Sequence, residues 1–85
     1  MNTIHNQSAL DISIFNRIDI NLYPLFIAIF ELKNISKSAQ SLYLSQSAAS
    51  HALQRLRVQL NNELFIRNGH PLLPTPFAEQ IYPNI

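Results

Sequence analysis

The stretch of sequence that decides the fold is LSQSAASHALQRL, residues 44–56. When it is drawn on a helical wheel and continued by four residues, its apolar side chains fall on one arc, as expected of the buried face of a helix. The arc consists of Ala49, Ala52, Leu53, Leu56 and Leu60. Ser45 is a suitable N-cap, and Asn61 with Asn62 is suited to a left-handed stop. The pattern therefore predicts a helix over residues 46–60.

The other side of this predicted helix carries compact groups that can form hydrogen bonds. They are Ser47, Ser50, His51 and Gln54, with Gln46 at the edge and Arg55 further round. Small side chains permit close approach to a DNA major groove, and Gln and Ser can meet base edges there. The same face would also suit an ordinary exposed surface in a protein-interaction module. The helix alone leaves both interpretations open.

Length and composition limit the class of protein. Eighty-five residues make one small domain, in which a large catalytic cleft is not expected. The longest apolar run, residues 25–30, is far too short to cross a bilayer, and no secretory signal is visible at the start. No cysteine is present, so disulfides and thiolate zinc sites are excluded. These features predict a cytoplasmic protein with no membrane partner.

The charges are distributed unevenly along the chain. Residues 33–70 contain five basic side chains and one acidic side chain, whereas residues 1–32 contain one basic and three acidic ones. A basic centre is a mild indication of a polyanionic partner, although an ordinary solvated surface explains it equally well.

Two shorter helices are predicted before the long one. Apolar residues recur every three or four positions over residues 22–33, and Asn21 is a suitable N-cap for this first helix. Asn34 then breaks the chain in a left-handed conformation, and Ser36 caps a second helix over about residues 37–43.

A hairpin and a fourth helix are predicted after the long helix. Two apolar runs, ELFIR at 63–67 and PLLPT at 71–75, flank an Asn68–Gly69 pair that favours a tight hairpin turn. Thr75 and Pro76 then form the N-cap and first residue of the last helix. The predicted fold is mainly α: a winged helix-turn-helix, with a three-helix core plus a two-stranded β-wing.

Residues 34–76, NISKSAQSLYLSQSAASHALQRLRVQLNNELFIRNGHPLLPTP, closely resemble the N-terminal DNA-binding domain of LysR-type transcriptional regulators. DINLYPLFIAIFE at residues 19–31 extends the resemblance over the first helix. The most specific elements are the run SAQSLYLSQSAASHAL, the LFIR that follows it and the closing PTP. The resemblance implies sequence-specific binding of double-stranded DNA, with the third helix in the major groove and the wing on the backbone or minor groove. A winged-helix module that binds protein instead of DNA is the alternative.

The resemblance also implies roles for individual residues. The candidate DNA-binding residues are Ser36, Gln46, Ser47, Ala48, Ser50, His51, Gln54, Arg55 and Arg67. Ser36 and Arg67 would contact the phosphate backbone, the first three residues of the third helix would face bases, and Ser50 and His51 would lie at the groove.

Residues 1–17 are polar with no sustained apolar period and are expected to be a mobile arm, for which the family offers no role. The resemblance implies that residues 18–75 are the DNA-binding domain and residues 76–85 the start of a dimerising linker helix, and it also implies several partners. The expected partners are a partly palindromic DNA operator and a second copy of the chain, with a tetramer conceivable at full length. A small-molecule effector would bind only through a C-terminal domain that this sequence lacks. We expect a chain cut near Ile85 to dimerise weakly.

The sequence departs from the family pattern at three places. Ser47 stands where proline is usual, Asn61 stands where glycine is usual, and the N-terminal arm is longer than is typical. Ser47 keeps a workable helix N-terminus and Asn61 keeps a left-handed stop, so neither change threatens the fold.

Catalytic and metal-binding functions are not predicted. Five scattered acidic residues and no cysteine offer neither a nucleophile with its base nor a carboxylate pair, so no enzyme and no cofactor are expected. His5, His51 and His70 lack the spacing of metal ligands. Arg57 is predicted to be structural, paired with Glu63 or Glu31.

Overall fold

The computed structural model describes residues 19–67 and 71–85. The elements in chain order are a 3-10 helix Ile20–Leu22, α1 Tyr23–Leu32, α2 Ile35–Ser41, α3 Gln46–Leu60, β1 Phe65–Ile66, β2 Leu73–Pro74, α4 Pro76–Ile81 and a 3-10 helix Tyr82–Asn84. The two strands pair antiparallel. The predicted winged helix-turn-helix is confirmed. The predicted N-terminal arm, the Asn68–Gly69 turn and His70 lie outside the described residues.

The predicted bounds of α3 are confirmed, and both of its ends are closed by local hydrogen bonds. The Ser45 side chain accepts from the backbone N–H of Ala48 at 3.0 Å. At the other end Asn61 adopts the left-handed conformation, with a φ of 51°, and its N–H bonds to carbonyls of the last turn. These signals are local, so the sequence alone was sufficient to place them.

The buried face of α3 is also as predicted. Ala49, Leu53, Leu56 and Leu60 are buried, and Ala52 packs at the edge of the core. They meet apolar side chains of α1 and the wing, among them Phe26 and Phe65, whose ring centroids lie 5.5 Å apart. Because this core holds three helices and the hairpin together, it fixes the direction in which the outer face of α3 points.

The predicted cap of the first helix was wrong. Asp19, not Asn21, caps the chain: its carboxylate accepts from the Asn21 N–H at 3.0 Å and starts a 3-10 turn that leads into α1. Asp and Asn are nearly equivalent as N-caps, so the sequence does not decide between neighbouring candidates.

The predicted break between α1 and α2 was also wrong in detail. Lys33 takes the left-handed conformation, with a φ of 55°, while Asn34 is extended and caps α2 by accepting from the Lys37 N–H at 2.8 Å. Lys33 is secured there because its ammonium group donates to the Phe30 carbonyl at 2.8 Å and lies 5.1 Å from the centroid of that ring. Ser36, predicted to be the cap, therefore lies inside α2.

The last helix packs back onto the first. Thr75 caps α4 as predicted, accepting from the Ala78 N–H at 3.1 Å. Tyr82 stacks on Phe30 with centroids 3.9 Å apart and donates a hydrogen bond to Glu31. The end of the described chain is thus attached to α1.

Candidate nucleic-acid interface

The outer face of α3 is exposed from Gln46 to Arg55. Its exposed candidates are Gln46, Ser47, Ala48, Ser50, His51, Gln54 and Arg55. They are exposed because the residues between them at helical spacing are the ones that pack on α1. The face combines amide and hydroxyl groups with two basic side chains, a mixture suited to hydrogen bonds with base edges and phosphates.

Ser36 and Gln46 meet at the N-terminal ends of α2 and α3. The Ser36 hydroxyl donates to Oε1 of Gln46 at 2.8 Å. Both side chains line a cleft of about 80 Å³, together with Arg67 from the wing and Lys33. Three of the candidates predicted from sequence are therefore brought together at one place.

The turn between α2 and α3 keeps the N-terminal ends of these two helices next to each other. Ser38 and Ala39 are buried, so α2 packs closely on the core. The Leu44 N–H donates to the Ala39 carbonyl at 2.8 Å, and Tyr43 takes the left-handed conformation with a φ of 58°. Tyr43 is 97% exposed at this turn, next to the candidate face, and was not among the predicted contacts.

Arg55 lies apart from the Ser36–Gln46 contact. It is nine residues further along α3, roughly 14 Å at the helical rise. Its guanidinium forms a salt bridge with Asp19 at 3.2 Å, and the Asp19 N–H donates to Oε1 of Gln59 at 3.2 Å. This carboxylate partner lies 36 residues away in sequence, and no local sequence pattern predicts the contact.

Arg57 is a structural residue, as predicted. Its Nε donates to the Glu63 carbonyl at 2.7 Å, and a terminal nitrogen donates to the Phe65 carbonyl at 3.0 Å. The Glu63 carboxylate is 3.7 Å away. These contacts hold the first strand of the wing against the end of α3.

Residues 19–67 and 71–85 contain no group of three or more His, Cys, Asp or Glu side chains that could hold a metal ion. Over the same ranges, no helix combines the length and apolar character needed to span a bilayer.

Comparison with known proteins points to one family. Residues 20–79 match the family model described as bacterial regulatory helix-turn-helix protein, lysR family. The chain is 49% identical over 59 residues to the uncharacterized HTH-type transcriptional regulator YbdO of Escherichia coli (strain K12), covering 69% of this chain and 20% of the relative. It is 40% identical over 68 residues to the HTH-type transcriptional regulator LeuO of the same organism, covering 80% of this chain and 22% of the relative. The chain thus spans about a fifth of the length of these curated relatives.

Solved structures show the same likeness. The probable transcriptional regulator PA0477 from Pseudomonas aeruginosa superposes with a TM-score of 0.79 at 41% identity, over 84% of this chain and 24% of that chain. The BenM DNA-binding domain in complex with catB site 1 DNA superposes with a TM-score of 0.74 at 25% identity, over 79% of this chain and 75% of that chain.

Proposed function

Because the chain belongs to the LysR family of bacterial regulatory helix-turn-helix proteins, we propose that it binds double-stranded DNA in a sequence-specific manner as part of a transcriptional regulator. The observation that carries the proposal is the exposed, hydrogen-bonding outer face of α3, fixed in direction by a packed core. The likeness to a DNA-binding domain solved on DNA supports the same function.

In the proposed complex, α3 enters the major groove and its N-terminal residues Gln46, Ser47 and Ala48 face the bases. Ser50, His51 and Gln54 follow along the groove, and Ser36 and Arg67, which line the same cleft beside Gln46, contact phosphates. Arg55 joins them only if it leaves Asp19, so we assign it the weakest contact of the set.

We further propose that residues 18–75 form the DNA-binding unit and that residues 76–85 begin a linker helix through which two copies dimerise on a partly palindromic operator in the cytoplasm. Thr75 supports this division, because it caps α4 at the point where the wing ends. A tetramer and an effector-binding function are assigned to a full-length protein. Residues 1–17 are assigned to a separate arm.

Selection of bound duplexes from a random pool tests the proposal. DNA binding predicts a recovered motif, arranged as an inverted repeat if two copies bind, and an affinity that falls steeply with salt. A winged helix that binds only protein predicts no enriched motif and weak binding that hardly responds to salt. That second outcome would overturn the proposed function.

A further inference from the structure

An open, apolar cleft lies on the outer side of α3, next to the start of the described chain. It has a volume of about 460 Å³ and is lined by His51, Gln54, Arg55, Val58 and Gln59. Val58 is 71% exposed, and the long side chains around it present mostly their aliphatic carbons to the cleft. The cleft therefore offers an apolar surface to another segment of chain, directly beside two of the proposed DNA contacts.

The chain that precedes the described residues joins the domain at the edge of this cleft. Asp19 is held there at two points: its carboxylate bonds to Arg55 at 3.2 Å, and its N–H donates to Oε1 of Gln59 at 3.2 Å. Both partners line the cleft. Any segment N-terminal to Asp19 is thereby tethered beside Gln59.

We propose that residues 11–17, DISIFNR, dock on this cleft and cover His51 and Gln54, so that DNA has to displace them. These residues lie outside the described ranges, and a single residue separates them from Asp19. They contain three large apolar side chains, Ile12, Ile14 and Phe15. The competition with DNA rests on the proposed function, whereas the docking does not.

The length of the tether suits this occupant. His51 and Gln59 are separated by about 12 Å at the helical rise. Four residues of extended chain, 15–18, span up to about 13 Å, so Phe15 can reach even the far end of the cleft. A segment tied this closely has an effective concentration on the order of millimolar, at which a weak apolar contact is sufficient to populate the docked state.

Trypsin digestion of the 85-residue chain tests the docking without DNA. Arg17 is the only lysine or arginine among residues 1–32, so cleavage after it releases a distinct fragment that mass spectrometry identifies. Val58→Ser removes the apolar contact and leaves the cleaved segment unchanged. If the segment is docked in about two thirds of the molecules, this variant should be cut after Arg17 about threefold faster. Leu32→Ser, at an exposed leucine on α1, is the control and should leave the rate unchanged.

The affinity for DNA should change by the same factor, because only the undocked fraction of the chain can bind. Phe15→Ser and Val58→Ser should each raise the affinity for a duplex selected from a random pool about threefold. The double variant should gain no more than either single variant, since both changes remove one shared contact. Ile4→Ser, at an apolar residue outside the docking segment, is the matched control and should have no effect.

The outcomes separate this inference from the proposed function. An unchanged rate of cleavage after Arg17 in Val58→Ser overturns the docking. Protection of Arg17 that increases with protein concentration also overturns it, because a second copy of the chain then occupies the cleft. Faster cleavage with an unchanged affinity for DNA shows that the docked segment does not cover the DNA-binding face, which overturns the competition. If Val58→Ser accelerates cleavage but no variant binds any duplex, the docking is supported and the proposed function fails.

Discussion

Asp19 and Arg55 form a salt bridge of 3.2 Å that attaches the start of the described chain to the outer face of α3. The pair is exposed, with 58% of the arginine side chain and 32% of the aspartate side chain accessible. An exposed pair of this kind contributes little to stability. Its larger effect is electrostatic, because it places a carboxylate beside the face that we propose lies against phosphates.

Asp19→Asn should therefore raise the affinity for DNA of any sequence. The change removes a negative charge and releases Arg55, so the slope of log affinity against log salt should steepen by about one unit. The amide keeps an oxygen that can cap the Asn21 N–H, so the fold should persist. Fluorescence anisotropy at several salt concentrations measures the slope. Glu79→Gln, the same change of charge on α4, is the control, and an equal gain in both variants would contradict the specific role of Arg55.

Gln46→Ala should weaken binding to the selected site by about 1–3 kcal/mol and leave random duplexes nearly unaffected. The reason is that a side chain that contacts a base edge discriminates between sequences, whereas a phosphate contact does not. Titration of both duplexes gives the difference directly. Gln40 is also exposed but lies on α2, so Gln40→Ala should leave the affinities for the selected and the random duplex unchanged. Equal losses on the two duplexes would remove Gln46 from the base-reading set.

Arg67→Ala should weaken all sequences alike and lower the salt slope by about one unit, because the wing would lose one phosphate contact. Arg67→Lys keeps the charge and should restore most of the slope. Anisotropy titrations in increasing salt distinguish the two variants. A slope that does not change in Arg67→Ala would show that Arg67 does not contact the backbone.

The sequence predicted α3 well because everything that defines it is local. The period of its leucines, the Ser45 cap and the Asn61 stop all lie within the helix or next to it. The breaks before α3 were predicted less well, since Asn34 suits either a cap or a left-handed turn. Lys33 takes the left-handed conformation instead, and its ammonium group donates to the Phe30 carbonyl. Residue propensities do not predict this contact.

The candidate interface could likewise be predicted only in part from the sequence. The exposed face of α3 follows from the period alone, so its members could be listed from sequence. The partners of those members could not: Ser36 meets Gln46 only because α2 crosses α3 at this angle, and Asp19 meets Arg55 across 36 residues of chain. Contacts of this kind depend on the packed core.

Arg57→Ala should lower the free energy of unfolding by about 1–3 kcal/mol, because two backbone carbonyls at the base of the wing would lose a charged donor. Arg57→Lys should recover only part of the loss, since one ammonium group cannot reproduce the fork that reaches both carbonyls. Glu63→Gln should have little effect, because the Glu63 side chain is 76% exposed and 3.7 Å from Nε. Chemical denaturation followed by circular dichroism measures all three variants. A loss in Glu63→Gln as large as in Arg57→Ala would show that the ion pair, and not the carbonyl contacts, stabilises this region.

The Tyr82–Glu31 hydrogen bond should make the packing of the last helix sensitive to alkaline pH. The pKa of Tyr82 is raised from its ordinary value of 10.0, first by the hydrogen bond to Glu31, then by desolvation and by the negative charge of that carboxylate. Because the pKa of Tyr82 in the folded chain lies above its value in the unfolded chain, the stabilising contribution is complete below the unfolded pKa and is lost as pH rises through the folded pKa.

Absorbance during an alkaline titration measures the formation of tyrosinate. The difference between the wild-type chain and Tyr82→Phe isolates the tyrosinate of Tyr82, and the variant preserves the ring that stacks on Phe30. Glu31→Gln should move that titration toward 10.0, since the amide keeps an acceptor but removes the charge. If the titration of Tyr82 does not move, the carboxylate of Glu31 does not hold the hydroxyl, and Tyr82 is held on α1 by the stack of its ring on Phe30.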